Sequence, residues 1–159
     1  MSDQKSILIV GIGNPYRCDD GIGPLIAKHL GNMIPEKVDV LADIKDGLSL
    51  MDLWEKYDCV YLIDAVKSGG APGRMYRFDA STEDLPHNFF TNYSTHSINI
   101  PEIIALAGNL NLLPEELIIY GVEGKDFSMG KELSEKVRLS ISSVAGCIKN
   151  ELEKRELSA

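Results

Sequence analysis

ILIVGIGNPYRCDDGIG, residues Ile7 to Gly23, decides how the chain is built. Ile7 to Ile12 is an aliphatic run bounded by glycine, the pattern of a strand buried on both faces of a parallel sheet. Beyond the glycine turn, Ile22, Leu25, Ile26, His29 and Leu30 recur at helical spacing. Pro24 fits only within a first turn, so the helix is predicted to begin near Gly21. The order is strand, glycine turn, Asp19-Asp20, helix. In an open α/β sheet, ligands gather outside the carboxyl ends of the parallel strands, and Asp20 falls at that place.

Outward from this unit the alternation of strands and helices continues. Val38 to Asp43 reads as a second strand, and Asp46 caps a helix whose Leu50, Leu53, Trp54 and Tyr57 form one apolar stripe. Cys59 to Ile63 is another continuous apolar run and ends in Asp64, a second acid at a strand's carboxyl end. Only nine residues separate Asp64 from Arg74, too few for the helical crossover that a parallel partner needs. Arg74 to Asp79 is therefore predicted to be an antiparallel edge strand. Ser81 to Ser97 is a long polar loop, a candidate lid or partner-recognition segment.

Pro101 in a first turn and Ile100, Ile103, Ile104 and Ala107 mark a third helix, with His96 just ahead of it. Leu117 to Val122 reads as the last buried strand. From Ser128 onward, Leu133, Val137, Ile141, Val144, Ile148 and Leu152 step by three or four, predicting a long amphipathic closing helix. The sum is one α/β domain over residues 1–159: a three-layer sandwich whose twisted, mostly parallel five-stranded sheet has one antiparallel edge strand and helices on both faces.

Composition narrows the function. With 159 residues, 44% of them hydrophobic, a core forms without disulfides or structural metal. Twenty-four acids against sixteen bases give a formal charge of −8, which disfavours nucleic acid and anionic membrane and is hospitable to a cation or a basic peptide. Cys18, Cys59 and Cys147 are scattered and form no C-x-x-C pair, as expected of a reducing, cytoplasmic setting. No apolar run approaches the length of a membrane span or a signal-peptide core.

Asp20 after the first strand, Asp64 after the third and His96 before the third helix fall at one end of the predicted sheet. Two carboxylates and an imidazole suit a divalent cation and leave coordination positions open for a substrate. Each has a plainer explanation taken alone: helix cap, turn cap, surface histidine. Asn14 serves the turn, and Asp19 either caps the helix or supports the site from behind. His29 lies on the apolar stripe of the first helix, expected to be packed or half-exposed, and His87 in the long loop has no ligand partner at a useful spacing. Cys18 sits beside an acidic pair, which argues against a thiolate nucleophile.

GIGNPYRCDDGIGP, LIDAV, PGRMYRF and STHSINIPEIIALA, in this order and spacing, resemble the hydrogenase maturation endopeptidases, which trim the carboxyl-terminal extension from the large subunit of nickel-iron hydrogenases. The resemblance runs from Ile7 to about Glu123. It implies a twisted mixed sheet between helices, and assigns metal recognition and catalysis to Asp20, Asp64 and His96. It further implies that the nickel is carried by the precursor, with zinc or cadmium able to occupy the site in crystals, and that the partner is the large-subunit precursor. The protein is expected to be cytoplasmic and monomeric. The chain departs from the family pattern at Asp46-Gly47-Leu48-Ser49, where many members carry Gly-Thr, and at Cys18, a position often occupied by glycine.

Two other classes compete. A phosphoacceptor receiver also places acids after its first and third strands and a lysine after its last, here Lys125, but it would follow Asp64 with a helix. A dinucleotide-binding domain would use Gly11 and Gly13, yet its third glycine would fall on Tyr16, and Asp19 and Asp20 would repel a pyrophosphate.

Overall fold

The computed structural model describes residues 5–35, 37–86, 89–90 and 98–158. Five strands form one sheet in the order β2-β1-β3-β5-β4, with β1 Ile7–Gly11, β2 Val38–Leu41, β3 Cys59–Val66, β4 Met75–Asp79 and β5 Glu116–Glu123. The pairs β1–β2, β1–β3 and β3–β5 are parallel, whereas β4 runs antiparallel to β5 at the edge. The short Asp64–Arg74 connection thus produces the expected reversal, and the helix that a receiver would place after Asp64 does not occur.

Four α-helices cover the two faces: α1 Ile22–Gly31, α2 Gly47–Trp54, α3 Ile100–Asn109 and α4 Glu135–Ser158. Because successive strand residues point to opposite faces, the continuous apolar runs divide between two cores. Ile9, Tyr61 and Ile63 pack with Ile22, Ile26 and Leu30 of α1 and Val137, Val144 and Ile148 of α4. Leu8, Val10, Val60 and Leu62 pack with Leu50 and Trp54 of α2 and Ile100 and Ala107 of α3. These are the three layers. No helix among the described residues is long and apolar enough to cross a membrane.

Local signals explain several boundaries. Asp46 accepts a hydrogen bond from the Ser49 N–H at 2.8 Å and caps α2; Asn99 does the same for Glu102 at 3.2 Å and caps α3. α1 packs close against the β1–β3 seam because Gly23 has no side chain: a Cβ there would collide with the carbonyl oxygens of Ile12 and Ile63.

Four boundaries differ from the sequence reading. β2 stops at Leu41, and the following residues turn into the wall of a cleft. β3 runs on to Val66, so Asp64 lies within the strand's last turnout and not beyond its end. A 3-10 turn, Cys18–Gly21, precedes α1. The closing helix begins at Glu135, because residues 128–134 are bound into a loop by Asp19. Within the long polar loop, Phe89 and Phe90 are not polar-surface residues: they pack edge-on against Tyr76 and Phe78.

Candidate active site

The first turn sets the geometry. Asn14 Oδ1 accepts the Tyr16 N–H at 2.9 Å, and the Asn14 carbonyl accepts the Arg17 N–H at 3.1 Å, folding Asn14–Arg17 back on itself. Gly13 is required at φ 143°, where a Cβ would strike the Asp20 carbonyl. The turn closes when the Asn14 N–H donates to Asp20 Oδ2 at 2.8 Å. One oxygen of Asp20 is thereby fixed.

Asp20 and Asp64 both line one cleft of about 510 Å³, together with Ile12, Tyr16, Ala65, Ile98 and Phe127. Asp64 is 8% exposed, and its Oδ1 accepts the Ala65 N–H at 2.9 Å. Burial pushes the Asp64 carboxyl well above the ordinary range, and the negative charge of Asp20 pushes it further. Asp20 is raised as well, by burial that outweighs the Asn14 N–H and the Arg17 charge. Among the described residues, neither acid is in an ion pair. Two carboxylates on one cleft that both resist ionisation, with Arg17 offsetting Asp20 only in part and Lys28 and Lys45 elsewhere on the lining, are suited to a positive guest.

His96 and His87 lie outside the described residues, so the structure places two of the three proposed ligands together and is silent on the third. Ile98, two residues beyond His96, does line the cleft. Among the described residues no group of three or more His, Cys, Asp or Glu comes together as a metal site. The donor set present, two carboxylates that each have one oxygen bonded to a backbone N–H, suits a divalent cation. His29 is exposed on α1, neither packed nor half-buried.

Asp19 has a role the sequence did not disclose. Its side chain is fully buried and takes four hydrogen bonds: from the Lys125 and Asp126 N–H groups at 2.8 Å each, the Ser134 N–H at 2.7 Å and the Ser134 hydroxyl at 2.8 Å. All four groups donate, a pattern that an acceptor-only carboxylate satisfies and an amide cannot. The Asp19 N–H returns a bond to the Asp126 carbonyl at 2.9 Å. Asp19 therefore latches the loop after β5, which carries the cleft-wall residue Phe127, onto the turn that carries Asp20. Its partners are more than a hundred positions away in the chain, and no local pattern announces them. Cys18 is buried beside this latch with φ 46°, a backbone region that glycine occupies without strain.

Lys125, the residue a receiver would use beside its phosphoacceptor, does not line the cleft that holds Asp20 and Asp64.

Known proteins share the sequence pattern and the fold. The family model of the hydrogenase maturation proteases matches residues 25–151. The hydrogenase expression/formation protein HupD of Bradyrhizobium diazoefficiens is 29% identical over 147 residues, 89% of this chain and 74% of that one. The hydrogenase 2 maturation protease of Escherichia coli is 27% identical over 119 residues, 73% of this chain and 71% of that one. Among solved structures, the hydrogenase maturating endopeptidase HybD from E. coli superposes with TM-score 0.77 at 23% identity, covering 93% of this chain and 92% of its own. The NiFe hydrogenase maturation protease HycI from Thermococcus kodakarensis superposes with TM-score 0.72 at 24% identity, covering 95% of each chain. At these identities the superpositions speak for the fold.

Proposed function

The chain belongs to the hydrogenase maturation protease family, and on that premise we propose that it removes the carboxyl-terminal extension of a nickel-iron hydrogenase large-subunit precursor after nickel has been installed. The observation that carries this reading is the Asp20–Asp64 pair: two acids on one cleft, both with raised pKa and neither in an ion pair among the described residues.

Nickel is here part of the substrate. Asp20 and Asp64 would each offer it an oxygen, and His96 a nitrogen. Docking the cation converts the repulsion between two acids into attraction, so recognition of a nickel-loaded precursor follows from the charge arrangement itself. The docked nickel would hold the nearby peptide bond in place and polarise it. Asn14 holds Asp20 in orientation through its N–H, and the Ala65 N–H does so for Asp64. Phe127 and Ile12 limit water around the acids.

The test is mass spectrometry of nickel-loaded and nickel-free precursor after incubation with the purified protein. The extension should be released from the nickel-loaded form alone. Release from both forms at one rate would remove nickel from the reading, and release from neither would remove the substrate.

A further inference from the structure

The geometry points to the paired tips of two loops, Tyr16 on one and Met129 on the other, as a docking lip for the folded body of the precursor whose tail occupies the cleft. This inference rests on the reading under Proposed function.

Tyr16 is 56% exposed and Met129 78%, the latter the most exposed large apolar side chain among the described residues. They are neighbours. Arg17 and Gly130 form a parallel β-bridge, with the Gly130 N–H donating to the Tyr16 carbonyl and the Cys18 N–H to the Gly130 carbonyl, each at 2.8 Å. That register sets position 16 beside position 129. Lys131 completes the patch, its Nζ 5.1 Å above the Tyr16 ring.

Exposed apolar residues at a loop tip are unremarkable when the tip is loose. This one is fastened. Asp19 holds the loop by four hydrogen bonds, Arg17 Nε donates to the Phe127 carbonyl at 3.3 Å, and Cys18 is kept at φ 46° between them. The strained backbone of Cys18 costs stability, and together with the Asp19 hydrogen bonds it fastens the backbone that carries two apolar side chains into water. Aromatic and methionine side chains are enriched in protein-protein interfaces, and a backbone already fastened lowers the ordering cost of docking them.

Position selects the occupant. Tyr16 lines the cleft and also faces solvent, so the surface continues unbroken from the acids onto the lip. A tail inserted in the cleft leaves its parent protein against Tyr16 and Met129. The cation of Lys131, in a chain of charge −8, calls for an apolar partner surface with an acidic border.

The experiment is steady-state processing of nickel-loaded precursor by the wild type, Met129→Ser, the double variant Tyr16→Ser/Met129→Ser, and Leu139→Ser. Leu139 is a comparably exposed residue, 60%, on α4. Circular dichroism checks that each variant is folded. Met129→Ser should raise KM several-fold and the double variant about tenfold or more, with kcat held within about twofold and Leu139→Ser unchanged. A wild-type KM in the folded double variant overturns the lip and leaves the proposed function standing. A wild type that cleaves no precursor defeats the proposed function and the lip together. Sedimentation supplies the remaining outcome: a wild-type dimer that Met129→Ser dissociates would make this face a contact between two copies and also overturn the lip.

Discussion

The protein gathers carboxylates in two regions, and it treats them in opposite ways. At the amino ends of the parallel strands, Glu116 meets Arg155 at 2.6 Å and Lys5 at 2.9 Å, and these hydrogen bonds hold its carboxyl down to about 2. Nearby on α4, burial would raise Glu151, but hydrogen bonds from Arg77, Tyr120 and Tyr61 outweigh it and hold Glu151 low. At the carboxyl ends, Asp20 and Asp64 have no such partner among the described residues and are pushed up. Acids that serve the fold as staples find several donors within the chain: arginine, lysine and tyrosine for Glu116 and Glu151, and four N–H and O–H groups for Asp19. Asp20 and Asp64 each accept one backbone N–H and are raised, which marks them as candidates for a site.

The contrast is broken most sharply by Asp64→Asn. Processing should fall by at least about 10³-fold, while thermal unfolding should shift upward by a few degrees, because an uncompensated buried acid has been removed. Activity assays and calorimetry on one preparation check both. A variant that loses activity by unfolding would place Asp64 among the staples instead.

Arg155→Ala is the converse. It strips a cation from Glu116 and the Tyr61 hydroxyl, and should cost about 2 kcal/mol, or roughly 4–8 °C in a chain of this size, with kcat/KM of the folded protein unchanged. Denaturant titration beside a processing assay measures it.

The pH dependence sharpens the comparison because the two regions have opposite signs. Asp20 and Asp64 are raised in the folded state, so their contribution to stability is fully present below the ordinary carboxylate pKa of about 4 and is lost as pH rises through the folded values. The advantage of Asp64→Asn over wild type should thus vanish in acid and grow toward neutral pH. Glu116 is lowered to about 2, so its contribution is present above its unfolded pKa and is lost as pH falls toward that value. The deficit of Arg155→Ala should shrink over the same acid range. Melting curves from pH 2 to 8 read both trends. The smallest effect belongs to Cys18→Ser, which should leave processing within about twofold, since the thiol is buried against the loop and does not line the cleft.

The fold was legible because its signals are local. The runs Ile7–Gly11 and Cys59–Ile63, the capping Asp46 and the short Asp64–Arg74 connection each follow from neighbouring residues. What escaped depends on contacts distant in sequence. The periodicity from Leu133 onward predicted helix from Ser128, but Asp19, more than a hundred positions earlier, holds Ser134 and delays α4 to Glu135. In the same way Glu151 reads as one charge on a solvated helix face, yet it anchors Tyr61, Tyr120 and Arg77. Within the site, Asp20 and Asp64 could be singled out from their positions after strands, but that burial raises both, and that neither is in an ion pair among the described residues, required coordinates. His96 remains an expectation of the sequence, outside the described residues.

The most direct test follows the side-chain carboxyl carbons of Asp20 and Asp64 by nuclear magnetic resonance across pH, with and without saturating zinc or cadmium. The account expects both acids to titrate above the ordinary range in the metal-free protein and to stay ionised to lower pH once the ion is added. If both titrate near the usual aspartate value and ignore the ion, the cleft has no unmet charge, and the distinction between its two regions of acid fails.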